Sequence, residues 1–307
     1  MVLLRSFFSK FFFSKLFFLV YLGIGFSMLP SIATSENIIT HIRPLSNNDV
    51  RSYYYIDLLK AVLAKTEAEY GPATLQKAKV RIKQSRAVQL VRDKAGLDIM
   101  WTMTSVDREE QLLPIRIPLQ KGLLGHRIFI IRDGEQAKFD TVANMAELSA
   151  LRAGQGHDWP DTEILRHNQL TVQTSPDYGG LFRMLEAGRF DYFPRGVAEP
   201  FQEVENRPDM GLTIENKILL KYPAPIYYFV SKSNPQLAQR LEAGLRKMID
   251  DGSFHEFFIN HDAIKPILKQ ANISGRKTFE LDNPLLTPET RAILSDKTLW
   301  YDGESSL

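Results

Sequence analysis

The chain contains no cysteine among its 307 residues. That removes disulfide bridges, thiolate nucleophiles, cysteine-based metal sites and a lipid-modified cysteine anchor together. It also lacks an excess of one charge, since 38 Lys and Arg stand against 36 Asp and Glu. Three of the cations, Arg5, Lys10 and Lys15, fall within residues 1–33, which hold no acid; without them the balance is 35 to 36. A nearly neutral remainder gives no electrostatic case for binding a nucleic-acid backbone. Beyond residue 33 no apolar run is long enough to cross a bilayer, and no low-complexity tract or repeat stands out. Signatures of common chemistries are missing as well. There is no Gly-x-Ser-x-Gly and no phosphate-binding loop. Gly154-x-Gly156 meets Trp159 where a dinucleotide fingerprint needs a third glycine, and His255-Glu256 meets Ile259 where a zinc-protease helix needs a second histidine. No metal and no cofactor are expected.

What is present begins with the leader. Arg5, Lys10 and Lys15 precede an apolar run from Leu16 to Leu29 and then Ser31-Ile32-Ala33, the layout of a secretory signal peptide cleaved after Ala33. The Phe-rich stretch from Phe7 lengthens the apolar segment, so an uncleaved anchor is the alternative. Export places the mature protein in the periplasm.

Downstream, strands alternate with helices, the pattern of a parallel α/β sheet. The spacing predicts a strand over Ile38–Leu45, a helix carrying Tyr55, Leu58, Leu59, Val62 and Leu63, and a strand at Ala78–Ile82. A helix near Ser85–Ala95 and a strand at Leu97–Trp101 follow. A second series runs from Arg127–Arg132 through a helix near Asn144, strands at Ser149–Ala153, Leu170–Gln173 and Phe190–Phe193, and helices after Pro160 and Pro176. The chain returns through the strand Ile226–Val230 into a helix opened by Asn234-Pro235, with Leu237, Leu241, Leu245, Met248 and Ile249 on one face. Two extended passages, Lys121 to Arg132 and Lys221 to Val230, join the two units and leave a cleft between them, where small ligands bind. Residues 269–307 read as an irregular tail packed on the first unit.

Several segments carry a resemblance: Thr104-Ser-Val-Asp-Arg108 with Ile117-Pro118-Leu119, Leu185-Glu-Ala-Gly-Arg-Phe-Asp191, and Tyr222-Pro through Val230-Ser-Lys to Asn234-Pro and Asp251-Gly252. In this order the sequence, over roughly residues 38 to 265, resembles the type II periplasmic solute-binding proteins of family 3, which serve polar amino acid ABC importers. The resemblance implies a two-lobed α/β Venus-flytrap fold: residues 34–122 in lobe one, 123–222 in lobe two, and 223–307 returning to lobe one with a tail. It implies a monomer that is not an enzyme, closing over a small polar or anionic ligand and handing it to an inner-membrane permease. A sensory or accessory binding protein without a permease is the alternative, and a dehydratase-like periplasmic enzyme on the same fold a third reading.

The resemblance puts the ligand carboxylate on Arg108, and a planar guanidinium suits two carboxylate oxygens with two parallel N–H donors. The competing reading is a surface ion pair with Glu109 or Glu110. Trp101, Thr102 and Thr104 stand at the C-terminal edge of a predicted strand, where open α/β sheets present ligands. Arg86, beside Ser85 at a helix start, and Arg43, after the first strand, are further anion candidates. Gln155, Gly156 and His157 occupy the second lobe's strand-to-helix turn, where the family offers backbone amides and where glycine permits close approach. His157, Asp158 and Asp161 read as capping and hydrogen-bonding groups rather than metal ligands. The family's ammonium-binding aspartate falls at Gly196, beside Arg195. This departure points to a ligand richer in negative charge than a simple amino acid, unless Glu199 swings in to replace the lost carboxylate.

Overall fold

The computed structural model describes residues 37–44 and 50–301. The leader, its cleavage point after Ala33, Leu45 and the last six residues lie outside the described residues. The first sheet is five-stranded in the order β2-β1-β3-β11-β4, from β1 (Asn37–His41), β2 (Ala73–Lys77), β3 (Ile99–Met103), β4 (Leu113–Ile115) and β11 (Ile226–Val230). Its β1 lies parallel to β2 and β3, whereas β11 runs antiparallel to β3 and β4. The two central strands, Ile-Met-Trp-Thr-Met and Ile-Tyr-Tyr-Phe-Val, are buried at every position. That is why they read as continuous apolar runs rather than alternating ones.

The second sheet is ordered β12-β10-β5-β8, with β9 also on β5. It comprises β5 (His126–Arg132), β8 (Phe193–Gly196), β9 (Leu212–Ile214), β10 (Ile218–Lys221) and β12 (Lys277–Glu280). Beside it β6 (Arg152–Gly156) and β7 (Thr171–Ser175) pair in parallel, joined to the rest by a bridge from Ala153 to Tyr192. Each sheet carries its own helices and apolar core, giving two lobes. In the first, the helices Val50–Lys65 and Pro235–Asp250 pack Tyr54, Leu58 and Val62 against Leu241, Leu245 and Met248. Asn234 caps the second of these through the Leu237 amide, with Pro235 in its first turn, as the sequence predicts.

The passages between lobes are the stretch ahead of β5 and that from β10 to β11. They approach so closely that a Cβ on Gly125 would lie 1.8 Å from the Tyr222 carbonyl oxygen, and the Tyr222 amide donates to Gly125 across the same crossing. Only glycine fits there.

Four expectations shift. Residues 78–83 are not a strand; β2 lies earlier, because Ala73–Lys77 pairs with β1 along its whole length. Ser149–Ala153 is split between the end of the helix Met145–Ser149 and the start of β6, and Phe190–Phe193 gives way to β8 three residues on. The tail is not confined to the first lobe, since β12 extends the second lobe's sheet alongside β10.

Candidate functional site

Between the lobes lies a cavity of about 420 Å³. Lobe one lines it with Arg43, Tyr55, Lys83, Gln84, Trp101, Thr102 and Arg108; lobe two with Arg127, Trp159, Asp161, Arg195 and Glu199. Thus Arg108, Thr102, Trp101, Arg43 and Arg195 come together in the cleft, and Thr104, Arg86, Gln155, Gly156 and His157 do not line it.

Arg108 sits in the first turn of the short helix Val106–Gln111, whose cap Ser105 accepts the Arg108 amide. Its guanidinium donates to the Met103 carbonyl (2.5 Å) and to Gln84 Oε1 (3.0 Å), and the Gln84 amide donates on to the Thr102 hydroxyl (2.5 Å). Every acceptor is neutral, and among the described residues Arg108 forms no salt bridge. Burial lowers its pKa from the ordinary value, opposed by the charges of Asp161, Asp107 and Asp158. The ion pair with Glu109 that competes in the sequence reading is not formed. Glu109 is buried and accepts from Thr104, Thr290 and Thr287 at 2.6, 2.8 and 3.0 Å and from Arg116 at 2.6 Å. Burial works against its charge, but these donors outweigh it and hold its carboxyl below the usual range. The same bond removes Thr104 from the candidates, because its buried hydroxyl already serves Glu109.

Trp101 stacks on Tyr55 with ring centroids 5.3 Å apart, forming an aromatic wall on lobe one. Arg43 donates to the Lys79 carbonyl at the cavity rim. Arg86 points instead to solvent, bonded to Gln89 one turn along its helix; from that helix Gln84 and Ala87 line the cavity.

In lobe two the cations are already matched. Arg127, 2% exposed, forms a 2.6 Å ion pair with Asp161, whose same oxygen accepts the Tyr222 hydroxyl at 2.5 Å. Arg195 pairs with Glu203 at 2.7 Å and Glu199 at 2.9 Å, and its guanidinium lies 4.9 Å from the Trp159 and Phe193 rings. Burial alone would lower both arginine pKa values, but the neighbouring carboxylates overcome it and raise them. Glu199 also accepts the Gly196 amide at 2.8 Å, and a Cβ on Gly196 would lie 3.3 Å from that oxygen. Glu199, three residues downstream, thus brings a carboxylate oxygen beside position 196.

The glycines of the turn serve another purpose than the one expected. A Cβ on Gly154 would meet the Phe190 ring at 2.2 Å and one on Gly156 the Trp159 ring at 2.3 Å. They admit aromatic rings, and the Trp159 indole covers the turn. The helix that follows, Pro160–His167, opens with a proline and with Asp161 in its first turn, so an acid of the protein's own occupies that helix start. Gln155 is buried, donating to the Pro194 carbonyl with its Oε1 unpartnered. His157 is exposed near Thr174 and borders an outer depression shared with Asp158. Among the described residues no cluster of three or more His, Cys, Asp or Glu is placed to hold a metal.

Arg127, Trp159 and Gln84 escaped the sequence reading. The one signal was the arginine beginning an otherwise apolar strand, Arg127-Ile-Phe-Ile-Ile, a charge with no local reason to be buried.

No protein-family model matches the chain, and no curated protein matches it by sequence. Its fold, two α/β lobes around a cleft, is that of the type II periplasmic binding proteins. Among solved structures it is similar to an ancestral arginine-binding protein bound to arginine (16% identity, 74% of this chain and 99% of that one, TM-score 0.52). It is also similar to a Salmonella typhimurium periplasmic binding protein of high arginine specificity (17%, 72% and 97%, 0.50). A third, from work on glutathione import through a cystine ABC importer in Streptococcus mutans, matches at 10% identity over 74% and 95% with a TM-score of 0.51. The first two of these similar structures are of binding proteins. Among the described residues no helix is long and apolar enough to cross a membrane.

Proposed function

We propose that this protein is an extracytoplasmic solute-binding protein that closes residues 123–222 over a small amino-acid-like ligand held first by lobe one. The observation that carries this reading is the asymmetry of charge in the cleft. Lobe one offers Arg43, Lys83 and Arg108, with Arg108 bonded only to neutral groups. Lobe two offers Arg127 and Arg195 already matched by Asp161, Glu199 and Glu203. A carboxylate gains most on Arg108, where it can displace the Gln84 side chain and so free the Thr102 hydroxyl, which accepts from the Gln84 amide, to donate to it. A positive group on the same ligand faces Asp161 and Glu199, and the Trp101 and Trp159 rings flank the space between. A ligand touching both walls favours the closed state by its extra contacts there, which is the physical content of hinge closure.

The same lining supports a second reading, a dicarboxylate, because lobe one's three cations exceed the charge of one carboxylate. Isothermal calorimetry of the purified protein against amino acids and dicarboxylates separates the two. Binding of an amino acid that Arg108→Gln weakens supports the first reading, binding of dicarboxylates alone moves the assignment to the second, and a ligand that binds Arg108→Gln as tightly as the parent removes both. The leader, read as a signal peptide, supports a location beyond the inner membrane, and delivery to an ABC permease as a monomer is the transport role that fits. A permease and ATPase encoded beside it and co-purifying with it would support transport; a neighbouring sensor kinase in their place would favour a signalling role.

A further inference from the structure

The C-terminal segment crosses between the lobes a third time. Its β12 pairs in parallel with β10 in register from Ile218 with Lys277 to Lys221 with Glu280. Asp282 exchanges hydrogen bonds of 2.8 and 3.0 Å with Asn168, also of lobe two. One residue on, Asn283 donates to the Pro223 carbonyl at 2.7 Å, within the passage between lobes. Then the segment docks on lobe one: the Leu285 carbonyl accepts the Val106 amide, and Thr287 and Thr290 donate to Glu109, the neighbour of Arg108. It finishes at the other passage, where the Tyr301 amide donates to Lys121 and the Trp300 ring lies so close to Gly122 that a Cβ there would meet it at 2.4 Å. Between the segment and the passages is a cavity of about 690 Å³, bordered by His126, Tyr222 and Trp300. The segment therefore spans the crossover rather than filling it.

Any rotation of the lobes about the two passages changes the distance between β12 and the docking point on the Arg108 helix. That change has to be absorbed by residues 281–286, which Asn283 pins at their centre. We infer that the C-terminal segment is a strap that limits how far the cleft opens and fixes the Arg108 helix relative to lobe two. The ancestral arginine-binding protein is matched over 99% of its length by 74% of this chain, so about a quarter of this chain has no counterpart in it. The strap goes beyond the ligand assignment, and its test uses no ligand.

The absence of cysteine makes the test direct, because Gln89→Cys in lobe one and Glu186→Cys in lobe two, both exposed, are then the sole attachment points for spin labels. Inter-lobe distances are measured by double electron–electron resonance on the ligand-free full chain. A four-residue Gly-Ser insertion between Asp282 and Asn283 slackens the strap without removing either docking surface, and Thr287→Val with Thr290→Val releases it from Glu109. The expected result for the insertion is a distance distribution that broadens and lengthens by several ångströms, with the double variant moving in the same direction. A control insertion after Gly252 leaves the distribution in place. A distribution for the slackened chain that superimposes on the parent's overturns the inference, whatever the double variant does.

Discussion

The two faces of the cleft use the same residue type to opposite ends. Arg108 in lobe one and Arg127 and Arg195 in lobe two all line one cavity, yet only the lobe-two pair is neutralised by the protein's own carboxylates. Burying a guanidinium with its counter-ion leaves little net attraction for a ligand, and removing one partner strands the other in a poorly solvated place. A guanidinium held by carbonyl and amide oxygens keeps its full charge for an incoming anion. Lobe two's arginines are thus held in ion pairs while Arg108 of lobe one is not, and the proposed function gives the ligand to Arg108; the residue names alone do not make that distinction.

The sharpest way to break this comparison is to remove one arginine from each side. Arg127→Leu leaves the buried Asp161 without its ion pair and is expected to lower folding stability by about 3–5 kcal/mol in urea titration. Arg108→Gln is expected to leave that stability within about 1 kcal/mol and to weaken ligand binding instead, by roughly 10- to 150-fold for the loss of a charge-assisted contact of about 1.5–3 kcal/mol. Equal losses of stability for both variants would erase the distinction.

One position earlier on the same strand, His126 lies on the passage side, buried, with its Nδ1 unpartnered. Burial first, then the nearby Lys221 charge, lowers its pKa from 6.5 to about 4, with the Gly122 and Leu123 carbonyls opposing. The unfolded chain therefore takes up a proton before the folded one as pH falls. Stability contributed by the neutral imidazole is whole above pH 6.5 and is lost progressively toward pH 4, a difference of roughly 3 kcal/mol. Carboxylates titrate in the same range, so the measurement is the gap between parent and His126→Phe, followed by thermal unfolding at several pH values. A constant gap would show that the imidazole titrates normally. The smallest change expected in the set is for Arg86→Ala: with its guanidinium bonded to Gln89 on the exposed helix surface, neither binding nor stability should move.

Much of the fold was legible because it rests on local rules. The helix Pro235–Asp250 shows its cap, its first-turn proline and its apolar stripe in the sequence, and the fully buried β11 shows an unbroken apolar run. Edge strands were harder. Ala-Thr-Leu-Gln-Lys in β2 and Lys-Thr-Phe-Glu in β12 are short and mostly polar, and each is a strand because a neighbour offers a hydrogen-bonding edge. The site was legible in part for the same reason. Arg108 was singled out by its place in Thr104-Ser-Val-Asp-Arg108, a contiguous segment, whereas Arg127 and Asp161 are joined across a strand and a helix 34 residues apart. Thr104 and Arg86 failed as cleft residues on matters of direction, one turned toward Glu109 and the other toward solvent.

By itself the sequence determined the α/β alternation, the return of the chain into its first unit and the absence of thiol chemistry, since periodicity, capping and composition act over a few residues. Tertiary structure alone decided which arginines are paired with carboxylates, that the Glu199 carboxylate sits beside Gly196, and that the tail joins both lobes. Ion pairing and strand pairing depend on distances between segments far apart in the chain, and those distances exist only once it has folded.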